Sequence, residues 1–282
     1  MLVNMKEMLA EAAKKKIAVG GFNCATLESA RAAIRAAEEL GLPFILQHAQ
    51  VHDQYMPLDL AAPIMIALAK QAKVPVCVHL DHGCDLSYAV RAMRLGFTSV
   101  MYDASSKPYE VNLAETAQIV KIASAIGVTV EAELGHVPTA GVDAIDVTPE
   151  DFYTDPAQAA EFVSETGIDA LAISFGTVHG VYRTTPKLSI PVVEAVRKAT
   201  GGIPLVMHGG SGVSVEDYRA AIAAGIRKIN YYTYEALAGG KGTYDVVQKS
   251  PEGLLFHDVA MNATAFMCED VKKAMKVFAN ID

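Results

Sequence analysis

The amino-acid sequence predicts a (β/α)8 barrel. Three observations predict it: eight short apolar runs, a Gly or Pro turn ahead of nearly every one, and Ala-rich amphipathic segments between them. The runs are IAVGGFN from Ile17, GLPFILQ from Gly41, KVPVCVHL from Lys73, GFTSVMYD from Gly96, GVTVEAEL from Gly127, GIDALAIS from Gly167, GIPLVMHG from Gly202 and GIRKINYY from Gly225. Each has the length and β-branched content of a buried strand. The intervening segments carry helix punctuation. Thr26 precedes LESARAAIRAAEEL and Gly41 ends it, Asp155 with Pro156 opens AQAAEFVSET and Gly167 ends it, and Ser214 with Asp217 forms a capping box before YRAAIAA. No linker or low-complexity tract divides the chain, so residues 1–282 are expected to form one domain with a C-terminal helical segment. A doubly wound sheet is the competing architecture. The first strand is not followed by GxGxxG, which weighs against its dinucleotide-binding form.

Composition narrows the function classes. Apolar residues make up 51% of the 282 and Trp is absent, which suits a water-soluble protein with a large core. The longest apolar stretches, such as Ala61 to Ala69, are too short to span a bilayer, and Met1 to Lys16 has helical charge spacing rather than a signal-peptide block. A cytoplasmic location is expected. The four cysteines, Cys24, Cys77, Cys84 and Cys268, form no CxxC pair and read as reduced thiols. A net charge of -8 argues against nucleic acid or an anionic membrane as partner, so an anionic substrate must be held by local donors.

In a barrel, chemistry collects at the carboxyl ends of the strands. Those ends carry Asn23, Gln47, Asp81 with His82, Asp103, Glu133, His179, His208 and Asn230. So many polar groups at one end are costly to desolvate without a functional reason. His82 lies in HLDHG, His179 in GTVHG and His208 in MHGGSG, each flanked by Gly after its strand. One such histidine is more often a hydrogen-bonded structural residue, but three at similar depth favour a shared divalent metal with an open coordination position. His79 reads as a satisfied near-core residue, and His48, His52, His136 and His257 default to loop or surface roles. Asp81, next to a proposed ligand, suits a general acid or base, or an acceptor that orients an imidazole. Asp103 and Glu133 are placed to hold a second cation or to form ion pairs with Lys or Arg. HGGSG from His208 and INYYT from Ile229 follow the last two strands, where barrels often cradle a phosphate. Gly209, Gly210 and Gly212 allow close backbone approach, and Ser211 and Thr233 supply hydroxyls.

HLDHG, VEAELG (Val130 to Gly135), TGIDALAISFGTVHG (Thr166 to Gly180), LVMHGGSG (Leu205 to Gly212) and KINYYT (Lys228 to Thr233) together resemble the class II, metal-dependent ketose-bisphosphate aldolases. The resemblance runs from the N-terminal helix to about Thr233, and several motifs in fixed order make it specific. It implies a dimeric or tetrameric (β/α)8 enzyme that cleaves a phosphorylated ketose to dihydroxyacetone phosphate and an aldehyde. It also implies that His82, His179 and His208 bind zinc or a similar divalent ion and that Asp81 moves the proton of the C4 hydroxyl. Asp103 and Glu133 match a second position, for a metal or a monovalent cation. Gly180, Gly209 to Ser211 and Asn230, Tyr231, Tyr232 and Thr233 match the phosphate-binding side, and Asn23 and Gln47 line the substrate side. The chemistry agrees with first principles, since a dication stabilises the charge that develops in a retro-aldol cleavage and no lysine Schiff base is then needed.

The chain departs from that family pattern in three places. The loop after VEAELG reads HVPTAGVDAID and lacks the usual Glu-Asp pair, leaving Asp143 or Asp146 as substitutes. Tyr232 stands where a small or acidic residue is common, and the segment after Gly239 has no evident basic group for a second phosphate. Two other functions compete. A metal-dependent barrel hydrolase would leave the phosphate cradle idle, and a non-catalytic phosphosugar-binding protein would have little use for three histidines with Asp81.

Overall fold

The computed structural model describes residues 1–138, 152–182, 185–250 and 252–281. Eight parallel strands close into a barrel in sequence order: β1 (Val19–Asn23), β2 (Phe44–Ala49), β3 (Val76–Gly83), β4 (Ser99–Tyr102), β5 (Thr129–Leu134), β6 (Ala170–Ile173), β7 (Leu205–Met207) and β8 (Ile226–Tyr231). β8 closes on β1 with Gly21 opposite Asn230. Around them lie α1 (Met5–Lys15), α2 (Leu27–Leu40), α3 (Leu58–Gln71), α4 (Leu86–Arg94), α5 (Tyr109–Ser124), α6 (Pro156–Thr166), α7 (Ile190–Ala199), α8 (Val215–Ala224), α9 (Thr233–Lys249) and α10 (Phe256–Phe278). This is the (β/α)8 architecture that the repeating pattern predicts.

The helix boundaries follow local chemistry. Thr26 and Ser29 form a reciprocal capping box at α2, and Gly41 ends the helix at φ 65°. Asp155 accepts from the Gln158 amide at the start of α6, and Gly167 ends it at φ 70°. At α8 only half of the expected box forms: Ser214 accepts from the Asp217 amide at 3.1 Å, while the Asp217 carboxylate accepts from the Ser214 hydroxyl.

Strand alternation sorts the core into two parts. Val76, Val78 and Leu80 of β3 pack outward under the helices, while Cys77 faces inward with Val19, Ile45, Ala170, Ala172 and Val206. Met5, Met8, Leu9 and Ala12 of α1 join that inner cluster and plug the barrel at the amino ends of the strands. Substrate access is therefore confined to the carboxyl ends. None of the described helices is long and apolar enough to cross a membrane. Cys24, Cys77 and Cys268 are buried free thiols, and Cys84 is exposed.

Candidate metal centre

Asp81 and His82 are neighbours on β3, so simple alternation would send them to opposite faces. A register irregularity between Leu80 and Gly83 in the β3–β4 pairing, together with a left-handed φ of 46° at His82, turns the imidazole back into the mouth. A non-glycine residue there costs on the order of 1 kcal/mol or more, which the surrounding contacts must offset. His208 follows β7 directly. His179 stands six residues beyond the end of β6 rather than at the strand end the sequence suggested, because Gly176 (φ 116°) folds the chain over and the His179 amide donates to Pro138 O at 2.8 Å.

The three imidazoles nonetheless converge. Ring centroids lie 4.5 Å apart for His82 and His208, 5.0 Å for His82 and His179, and 5.7 Å for His179 and His208. One ligand atom from each falls within 4.8 Å of the others, and His82, Asp103 and Glu133 form a second such group. Among the described residues, His179 Nε2, His208 Nδ1 and Glu133 Oε2 are buried without a hydrogen-bond partner. Buried polar atoms are seldom orphaned, and N and O donors converging in this way suit a divalent ion. The residues fit the metal that the family resemblance implies.

The outer partners orient the ligands. Asp103 Oδ2 stands 2.6 Å from His82 Nδ1 and its other oxygen accepts from the Ser105 hydroxyl, so Asp103 pairs with a histidine rather than with Lys or Arg. Glu131 Oε1 holds His208 Nε2 at 2.9 Å, and Glu133 Oε2 stands 3.2 Å from His208 Nδ1. Burial alone would lower the His208 pKa, but the Glu131 and Glu133 carboxylates push it up to about 10. Burial, reinforced by the neighbouring His82 and His208 charges, lowers His179 to about 3. Burial opposes ionisation of Asp81, yet His82, His208 and Lys228 hold it well below the usual carboxylate range. Its two oxygens accept from Asn23 Nδ2 at 2.7 Å and Asn230 Nδ2 at 2.9 Å. The site therefore contains a charged, clamped carboxylate beside a seat for a cation.

The glycine-rich turn is tied to its neighbours. Gly210 N donates to Asn230 O, Ser211 Oγ accepts from the Tyr232 amide at 3.1 Å, and α9 starts at Thr233, so its first-turn N–H groups lie beside the turn. The Tyr182 hydroxyl accepts from Val178 N and donates to Gly209 O, linking the loops after β6 and β7. Gly180 (φ 97°) directly follows His179. Gly209 has φ 63°, and a Cβ there would overlap the Val178 carbonyl oxygen. Gly209→Ala is expected to cost about 1–3 kcal/mol, read as a lowered denaturant midpoint. An unchanged midpoint would show that the turn relaxes freely.

Gln47 is buried, faces inward and leaves no room for a Cβ at Gly21. Tyr231 is not brought to the site. Lys228 and Asn230 take the inward positions of β8, so Tyr231 points outward against Phe22 and Phe278 and donates to Asp270 Oδ2 at 2.9 Å. Tyr232 turns the other way, its ring 4.7 Å from His52. The surface or loop role expected of His48 and His52 is corrected, since both are buried: His48 lies 3.2 Å from the Tyr88 hydroxyl, and His52 packs in the short helix after β2. His79 is buried and bonded to Ser99, as expected, and His257 is exposed. Asp143 and Asp146 lie outside the described residues. Sequence reasoning missed Glu131, Lys228 and Tyr182. The first two precede Glu133 and Asn230 by two positions, the strand spacing that puts them on the same inward face.

The family model for class II fructose-bisphosphate aldolase matches residues 3–282. The chain belongs to that family. It is 42% identical over 255 residues to a probable fructose-bisphosphate aldolase of Bacillus subtilis (strain 168), covering 89% of this chain and 88% of the relative. It is 43% identical over 256 residues to a fructose-bisphosphate aldolase of Geobacillus stearothermophilus, covering 89% and 87%. The crystal structure of the YdjI aldolase from Escherichia coli K12 superposes with a TM-score of 0.87 at 33% identity, covering 99% of this chain and 97% of that one. This class II aldolase is thus a carbon–carbon lyase by family, with a candidate metal cluster at the barrel mouth.

Proposed function

We propose that this aldolase reversibly cleaves a phosphorylated ketose to dihydroxyacetone phosphate and an aldehyde, as a single catalytic domain over residues 1–282. His82, His179 and His208 hold Zn²⁺ or a similar divalent ion, and Asp103 and Glu133 with His82 offer a second position for a metal or monovalent cation. When bound, the dication supplies electrostatic stabilisation of the negative charge that develops on the ketose oxygens. The observation that carries the reading is Asp81, ionised and clamped by Asn23 and Asn230 beside three converging imidazoles. Its carboxylate takes the proton of the C4 hydroxyl as the carbon–carbon bond breaks, and returns it in the reverse direction. Gly180, Gly209, Gly210, Ser211, Asn230 and Thr233 hold the phosphate through backbone and hydroxyl donors at the start of α9. Asp143 exchanges the proton on dihydroxyacetone phosphate. The enzyme works in the cytoplasm as a homodimer or homotetramer.

The distal end of the substrate lies toward His52 and the rings of Tyr55 and Tyr232, which are 6.1 Å and 4.7 Å from that of His52. Tyrosines hydrogen-bond or stack on an uncharged aldehyde end, whereas a second phosphate needs a cationic or backbone partner. Assaying aldehyde and dihydroxyacetone phosphate release from a panel of ketose 1-phosphates and bisphosphates tests both points. Cleavage of at least one phosphorylated ketose is expected, with fructose 1,6-bisphosphate preferred by less than about tenfold in kcat/KM, or roughly 1.4 kcal/mol. A larger preference would reveal a basic partner for the second phosphate. Release of inorganic phosphate with no aldehyde would point to a hydrolase.

A further inference from the structure

Beneath the histidine cluster, the barrel interior holds Ser99, His79, Lys228 and Glu131, which the proposed reaction does not use. Ser99 Oγ stands 2.8 Å from His79 Nδ1, His79 Nε2 is 3.4 Å from Lys228 Nζ, Lys228 Nζ is 2.7 Å from Glu131 Oε2, and Glu131 Oε1 is 2.9 Å from His208 Nε2. Ser99, His79, Lys228, Glu131 and His208 are all fully buried. His79, Asp81 and Glu131 also bring one ligand atom each within 4.8 Å of one another, the spacing of a metal-binding triad. The Lys228 ammonium contacts two members of that triad.

We propose that Lys228 is a resident cation: its ammonium takes the seat that the His79, Asp81 and Glu131 triad would offer to a metal, and through Glu131 it positions His208 as a ligand for the ion above. The inference rests on the metal-dependent reading of the upper cluster. A carboxylate on Nε2 fixes a proton there and turns Nδ1, which stands 3.2 Å from Glu133 Oε2, toward the upper cluster, where a bound ion would displace its proton. Without the ammonium, Glu131 would be a buried carboxylate facing only the His79 and His208 imidazoles, and a poorly compensated buried charge is strongly disfavoured. A covalently attached ammonium meets that need without creating a second metal site. Lys228 and Glu131 are thus positioning residues, and neither needs to touch substrate.

The test is a Zn²⁺ titration of the metal-stripped full chain, read as ions bound per chain and as affinity. Lys228→Ala opens the seat and keeps Glu131 ionised, so it is expected to bind one ion more than the wild type. Lys228→Met fills the space without a charge and is expected to gain none. Glu131→Gln removes the charged acceptor on His208 and is expected to weaken binding at the upper cluster by about 10–100-fold. If the singly substituted Lys228 variants do not fold, Lys228→Met combined with Glu131→Gln keeps the layer neutral, and the same weakening is expected there. A folded Lys228→Ala that binds as many ions as the wild type, or a Glu131→Gln or double variant with unchanged affinity, overturns the proposal while leaving the metal-dependent reading intact. A wild-type chain that takes up no Zn²⁺ overturns both.

Discussion

His208→Ala is expected to empty the upper metal position and to lower aldehyde release by about a thousandfold or more, since losing the dication removes several kcal/mol of charge stabilisation. The His208 ring lies 4.5 Å from that of His82, and its two nitrogens face Glu131 and Glu133. Removing it takes the imidazole away from both carboxylates and leaves Glu131 with only Lys228 and His79 beside it, so the variant is also expected to unfold at lower denaturant. Metal content and circular dichroism on the same sample separate the two effects. A folded variant that retains its ion and most of its activity would show that His208 is a structural partner of Glu131 and not a ligand.

Asp81→Ala is expected to lower turnover by about a hundredfold or more, the scale of a lost acid–base group, while metal content stays at the wild-type level. The carboxylate is charged, fully inside the mouth, and fixed by two amide donors that leave it a single orientation. Asp81→Asn keeps the shape and removes the basicity, so it is expected to lose nearly as much turnover with less loss of stability. If either variant loses its metal along with its activity, Asp81 holds the ion or its ligands in place, and the proton-transfer role fails.

The barrel was legible because its signals are local. Each strand announces itself as a short apolar run after Gly or Pro, and caps such as Thr26 with Ser29 form within one turn of chain. Convergence of His82, His179 and His208 was legible for the same reason, since each is followed by a glycine at or beyond the carboxyl end of its strand. What was not legible depends on packing across strands. The bulge that turns His82 inward arises between β3 and β4, and the excursion that carries His179 past β6 depends on a hydrogen bond to Pro138. Tyr231 looks like a site residue within INYYT, yet one step of strand alternation sends it to Asp270 on α10. Glu131 and Lys228 were hidden because a charged residue inside an apolar run reads as an exception until its partner across the barrel is known. His48 and His52 default to loop or surface roles for want of a motif, whereas burial beneath α4 and Tyr232 is a matter of tertiary contact.

The central claim, that this class II aldolase works through a metal at the three histidines and not through a Schiff base, is tested most directly by one titration. Purified protein is stripped with a chelator and then reloaded stepwise with Zn²⁺, while bound ion and dihydroxyacetone phosphate release from a ketose 1-phosphate are measured on each sample. Activity is expected to vanish with the metal and return in proportion to ion bound, and borohydride treatment in the presence of substrate is expected to leave the reloaded enzyme active. Full activity in the stripped protein, with irreversible inactivation by borohydride, would contradict the claim.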